Sequence, residues 1–219
     1  ASLVGSEMCI RDSDQMPLTD RKQVVQKAMQ QVMDAGTDVS KLKKEHIEDY
    51  KALFSRQDFS LHPDRSGRTD KLLKDPAAFQ AVCELLYHYG KYLMISGSRR
   101  GGQPLNLQGQ WNANIRPAWS SNYTVNINTQ MNYWGASLCG LQECLEPYLR
   151  MVHEVCKRGE KTAKVNYGCR GFACNHNVDL WRKTAPVIGE SNYMYAPLCG
   201  VWLANEIYEH YLNGGLDAE

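Results

Sequence analysis

The chain has 219 residues, of which 43% are hydrophobic and 22% charged, and its 25 Lys+Arg against 24 Asp+Glu leave a formal net charge of +1. That composition belongs to a globular protein with enough apolar material to build a core, and it excludes a disordered chain. A near-zero balance carries no polyanion-binding footprint, and no apolar run approaches the roughly 20 residues of a membrane helix. Nucleic acid and membrane are therefore not expected as partners. The sequence leaves the oligomeric state open.

Residues 1–13, ASLVGSEMCIRDS, lack the basic start and apolar stretch of a secretory signal. They resemble translated sequencing-adapter sequence and read as a leader outside the fold. Residues 14–56 read as linker helices. Val24, Val25, Ala28, Met29, Val32 and Met33 form one apolar stripe, with Gly36 as its C-terminal cap. Ser40 is the expected N-cap of the next helix, whose stripe is Leu42, Ile47, Tyr50, Leu53 and Phe54. After a polar break at His62–Thr69, Asp75 and Pro76 supply a cap and first turn. The stripe that follows runs Phe79, Val82, Leu86, Tyr89 and Leu93.

Helical spacing stops after Ser96 and resumes near Thr129 with Met131, Trp134, Leu138 and Leu141. Pro147 restarts it, with Leu149, Val152 and Val155 apolar and an end expected near Gly159. Gly168–Asn192 is again irregular, and Leu198, Val201, Trp202, Tyr208, Tyr211 and Leu212 mark a last helix. Sustained alternation is scarce. The fold class is all-α, with helices joined by alternately short and long connections.

Irregular stretches beyond about 12–15 residues inside a domain are usually functional. The first, between Gly97 and Trp134, has no carboxylate but holds Asn106, Asn112, Asn114, Asn122, Asn126, Asn128 and Asn132 with Trp111, Trp119 and Trp134. Amides both donate and accept, and indoles offer flat apolar platforms, a chemistry that matches the hydroxyls and ring faces of a sugar. Within it, Thr124-Val125-Asn126-Ile127-Asn128 alternates. Extended, it would send Val125 and Ile127 to the core and place Thr124, Asn126 and Asn128 on the opposite face. Two adjacent carboxamides can hold a water, but an amide is too weak a base to deprotonate it unaided.

The second loop, GCRGFACNHNVDLWRKTA, offers His176, Asp179, Trp181 and Arg182. A nucleophilic pair would need Cys174 beside His176, and Asp179 with Arg182 reads equally well as a surface ion pair of little worth. The eight cysteines are irregularly spaced and read as reduced, mostly buried thiols, which fits a reducing compartment. Cys169, Cys174 and His176 lack the short paired spacing of a zinc site. Neither a metal nor another cofactor is called for.

The segments YGKYLMISGSRRGGQPLNLQGQWN, TVNINTQMNYW and YGCRGFACNHNVDLWRKTAP resemble glycoside hydrolase family 95. The likeness runs from about Glu45 to Gly214. The resemblance implies an (α/α)6 barrel, of which residues 57–219 would be roughly the N-terminal half, and an inverting 1,2-α-L-fucosidase acting on fucosylated glycans. Some members of that family cut α-L-galactosides instead. It also implies that Asn126 and Asn128 position the attacking water with help from an Asp, while a Glu acts as general acid. Both carboxylates would lie past Glu219, so a chain of this length would be inactive. Arg99, Trp111, His176, Asp179 and Trp181 are the substrate-site residues implied by motif matching. The chain departs from the family in reading Asn175-His176 where two histidines are usual, and in Gln130 where an acid is common. A non-catalytic glycan-binding helical domain and a zinc-stabilised structural domain are the competing readings.

Overall fold

A computed structural model of the chain describes residues 18–64, 66–114 and 116–213. The leader expected at 1–13 lies outside them. The fold is all-α, as the spacing predicts. Its helices are α1 (Leu18–Ala35), α2 (Val39–Phe54), the short α3 (Thr69–Leu72), α4 (Phe79–Gly97), α5 (Asn128–Leu138), α6 (Glu146–Tyr167), the short α7 (Ser191–Met194) and α8 (Cys199–Leu212). Two two-residue strands, β1 (Tyr123–Thr124) and β2 (Asn177–Val178), pair antiparallel with Tyr123 opposite Val178 and Thr124 opposite Asn177. No helix among the described residues is long and apolar enough to cross a membrane.

Helix punctuation follows local chemistry. Gly36 takes a left-handed φ of 72° after α1. The N-cap of α2 is Asp38 rather than Ser40, its carboxylate accepting the Lys41 N–H at 3.0 Å. Asp75 caps a 3-10 turn over Pro76–Ala78 that leads into α4. α6 does not end at Gly159 but runs on to Tyr167. Gly159 is instead a point of close approach: a Cβ there would lie 2.8 Å from the Ala173 carbonyl, whose own residue donates its N–H to Gly159 O at 3.1 Å.

α2 packs on α4, and α8 packs on both α5 and α6. The core contains Tyr133 of α5, Tyr148, Met151, Val152 and Val155 of α6, Leu203 of α8, and Val125 and Val178 beside the strands. α6 buries its expected stripe. α2 buries Leu53 and packs Tyr50 and Phe54 on the core, and Leu141 is buried, but Phe79, Leu86 and Tyr89 of α4, Met131, Trp134 and Leu138 of α5, Leu198 just before α8 and Val201 and Tyr208 on it are exposed, as are Val24, Val25, Met29, Val32 and Met33 of α1. The buried face of α4 carries Glu84 and Lys91.

Those two buried charges are satisfied by the segment that covers them. Lys91 Nζ donates to the Phe54 and Gln57 carbonyls at 2.8 and 2.5 Å and sits 4.6 Å from the Phe54 ring centroid. Burial holds its pKa below the ordinary lysine value. Glu84 accepts from Ser60 Oγ and the Leu61 N–H. Arg56 grips Glu143 with two 2.6 Å bonds, and Arg99 binds Asp49 of α2. The polar clamps fix α2 and the chain after it onto α4 and the turn that precedes α6.

Candidate active site

β1 is too short to carry the expected alternation through Asn128. Val125 is fully buried, as expected, but Ile127 is 38% exposed and Asn128 is already the first residue of α5. Side chains one helical turn ahead divert the chain. Thr129 Oγ1 donates to the Thr124 carbonyl at 3.0 Å and Gln130 Nε2 to the Val125 carbonyl at 2.7 Å. Such side-chain bonds to local backbone compete with a continuing ladder. The Val125 N–H meanwhile donates to the His176 carbonyl at 2.7 Å. Asn126 and Asn128 are thus presented on a turn at the head of α5, whose N-terminus has no side-chain cap.

Asn126 lines an open cleft of about 750 Å³ together with Tyr195–Cys199, Val201, Trp202 and Asn205. A smaller, more polar cleft of about 360 Å³ shares Trp202 and Asn205 and adds Trp134, Glu206 and Glu209. Glu206 is 8% exposed and hydrogen-bonds the Trp134 indole; burial holds its carboxyl above the usual range.

The asparagines of the first loop divide into two groups. Asn106 accepts from the Gln108 N–H and Ser121 Oγ, Asn112 bonds Gln108 and the Asn114 N–H, Asn122 accepts from Thr124 Oγ1, and Asn132 donates to the Asn106 carbonyl. The carboxamides of Asn126 and Asn128, like that of the exposed Asn114, make no hydrogen bond among the described residues. The start of this loop is tied to α5, because the Tyr133 hydroxyl accepts the Leu105 N–H at 2.9 Å and lies 2.7 Å from Ser98 Oγ.

His176 is brought beside this turn by the β1–β2 pairing. It is 8% exposed, its ring stands edge-on to Tyr193, and its buried Nδ1 has no partner among the described residues. Burial lowers its pKa, so the ring is neutral at neutral pH. The other expected residues lie elsewhere. Arg99 is turned to Asp49 of α2. Trp111 is half-exposed and covers Gly97 and Gly109. Asp179 spends one carboxylate oxygen on the N–H groups of Trp181 and Lys183 at 2.9 and 2.8 Å. Asp179 and Trp181 line a separate groove against α6.

Two readings left open for the second loop are decided by its contacts. Arg182 does not pair with Asp179 at the surface. It is 4% exposed, with a left-handed φ of 61°, and binds Glu154 and Gln103 at 2.6 Å each and the Leu180 carbonyl at 3.0 Å. Its guanidinium also lies 5.5 Å from the Tyr123 ring centroid. It therefore joins α6, the first loop, β1 and the second loop. Cys174 is not a nucleophile beside His176: it is fully buried, its thiol points to the Asn175 carbonyl at 3.3 Å, and burial pushes its pKa up.

Tyr195, Asn205 and Glu206 line these clefts without being among the expected site residues, and Trp202 was expected only as part of the stripe that marks the last helix. The available signal was a carboxylate and an amide inside an otherwise apolar helical stripe.

The profile of the glycosyl hydrolase family 95 catalytic domain matches residues 38–215. Among curated proteins, the chain is 38% identical over 183 residues to Alpha-L-fucosidase 2 of Arabidopsis thaliana, covering 78% of this chain and 22% of that protein. It is 33% identical to Probable alpha-fucosidase A of Aspergillus niger (78% and 22%) and 33% identical to Probable alpha-fucosidase A of Aspergillus oryzae (80% and 26%). The chain thus spans about a quarter or less of the length of these relatives. A family profile that covers most of the chain, with three such relatives, places this chain in glycoside hydrolase family 95.

Proposed function

We propose that the chain supplies the water-positioning half of an inverting α-L-fucosidase that removes terminal, 1,2-linked fucose from glycans. The observation that carries this reading is the pair of unspent carboxamides at the uncapped head of α5, Asn126 lining the cleft and Asn128 two residues on. Each carboxamide can orient a water through a donor and an acceptor. The positive end of the helix favours the negative charge that water develops as it attacks the anomeric carbon. An amide cannot take the proton, so a carboxylate must assist, and a second carboxyl must protonate the leaving oxygen about 6.5–9.5 Å away. In this reading both come from sequence beyond residue 219. Residues 14–56 serve as linker helices, and residues 57–219 as the first half of the barrel. The exposed apolar stripes of α5 and α8 are where later helices pack.

The full-length protein should release L-fucose from 2′-fucosyllactose, with the β-anomer appearing first by NMR. No L-fucose release would overturn the assignment, and release of L-galactose alone from the matching galactoside would move specificity within the family. Asn128→Ala should lower turnover at least ~10²-fold, the scale of losing one positioned catalytic contact. Near-normal turnover would remove Asn128 from the mechanism. The competing binding-module reading predicts saccharide affinity without turnover.

A further inference from the structure

We infer that Gln130 is a positioning residue for the water-holding turn, acting through the Val125 carbonyl; this rests on the role proposed for Asn126 and Asn128. Gln130 is fully buried, yet only half of its carboxamide is used. Nε2 donates to Val125 O at 2.7 Å, while the buried Oε1 has no partner among the described residues. A buried polar group with an unmade bond is a cost that a simple packing role would avoid with an apolar side chain. The bond it does make is the one the turn needs.

Val125 is held at three points. Its side chain is buried, its N–H is bound by the His176 carbonyl, and its C=O is bound by Gln130. Asn126 has no internal hydrogen bond of its own, so the direction of its carboxamide is inherited from Val125 on one side and the start of α5 on the other. Removing Gln130 frees the Val125 peptide to rotate and lets the backbone swing without touching the substrate. Misplacement of a reacting group by about 1 Å can cost ~10²-fold in rate.

The test uses the full-length protein with 2′-fucosyllactose and two variants. Gln130→Met keeps the length and apolar stem but cannot donate. It should lower kcat roughly 10- to 30-fold with KM within about twofold and an unshifted melting transition. Gln130→Glu can donate to Val125 O only while its carboxyl is protonated. Its deficit relative to wild type should therefore shrink as pH falls and grow as pH rises. The buried titratable groups on and around α5 are Tyr133 of α5 itself, Glu84 and Lys91 of α4, Tyr123 of β1, Cys144 in the turn before α6, Tyr148 packed on Tyr133, His176, and Cys199, Glu206 and His210 of α8. All of them remain in Gln130→Met, so the difference between the two variants' pH profiles isolates position 130.

Wild-type kcat in Gln130→Met, or parallel profiles for the two variants, would overturn the inference. If Gln130→Met does not fold, Gln130→Glu decides: its kcat should fall with rising pH, at unchanged KM, over a range where circular dichroism shows the protein fully folded, and a deficit that only tracks loss of folded protein would overturn the inference. A wild type that releases no fucose overturns the fucosidase reading instead. The clamp is then read by amide hydrogen exchange, which should rise at Val125–Ile127 in Gln130→Met relative to the rest of α5; unchanged exchange there would overturn it.

Discussion

Asn126 and Asn175 lie on the two long loops, joined through β1 and β2, and they use the same side chain in opposite ways. Asn175 is fully buried; its Oδ1 accepts from the Tyr167 hydroxyl at 2.8 Å and the Ala196 N–H at 2.9 Å, and its Nδ2 donates to the Thr184 carbonyl at 2.9 Å. Asn126 is exposed on the cleft and makes none of these bonds. A carboxamide whose donors and acceptors are consumed builds the wall; one left free is available to a ligand. The Asn175 amide holds Ala196, itself a wall of the cleft. Its influence on the site therefore passes through architecture.

The contrast breaks or sharpens under substitution. The largest stability effect belongs to Arg182→Ala, which strips a buried cation of its links to Glu154, Gln103 and Leu180. Because Glu154 is 41% exposed and can be rehydrated, the loss should be about 3 kcal/mol, below that of a fully buried pair. In a chain of this size that is a fall of roughly 6–12 °C in Tm by calorimetry. Asn175→Ala removes three hydrogen bonds, leaving the half-buried Tyr167 hydroxyl and Ala196 N–H without this partner while the Thr184 carbonyl keeps the backbone N–H of residue 175, and should cost about 1–2 kcal/mol. Asn126→Ala should stay within about 0.5 kcal/mol of wild type in the same melt. Equal destabilisation by the two asparagine variants would erase the distinction drawn between them.

Two pH effects are smaller. Glu206 has a carboxyl held above its ordinary value of 4.5 by burial. The folded state then binds the proton more tightly than the unfolded one, so its contribution is present below pH 4.5 and lost as pH rises through the folded pKa. Glu206→Gln should raise Tm near pH 7 by about 1–3 °C and leave it unchanged near pH 4; a lower Tm near pH 7 would contradict the burial argument. His176 has the opposite sign. Burial lowers its pKa from 6.5, so the unfolded state takes the proton first and stability falls as pH drops below that value. His176→Gln should flatten the Tm profile between about pH 7 and 5, the smallest of these effects.

Much of the candidate site was legible because its signals are local. Asn126 and Asn128 stand out by composition and by the motif they match, and the pairing of β1 with β2 adds His176. Arg99, Asp179 and Trp181 carry the same residue chemistry, but their contacts in the fold are with Asp49, with backbone N–H groups and with α6. Nothing in their spacing distinguishes a side chain aimed at a ligand from one bonded to its own chain. Glu206 and Trp202 were hidden for the reverse reason, since a helical stripe is read by its average and not by its exceptions.

Local chemistry sets the helices and several of their ends. Period-3.6 spacing, the Asp75-Pro76 start, the left-handed Gly36 and the break between Gly97 and Asn128 act over a few residues and need no distant partner. Only the tertiary structure decided which face of each helix is covered. α6 buries its apolar stripe, whereas α4, α5 and α8 turn theirs outward and bury Glu84, Lys91, Gln130 and Glu206. Burial depends on what packs opposite, and the carbonyls of Phe54, Gln57 and Val125 made charged and amide side chains the better fit there.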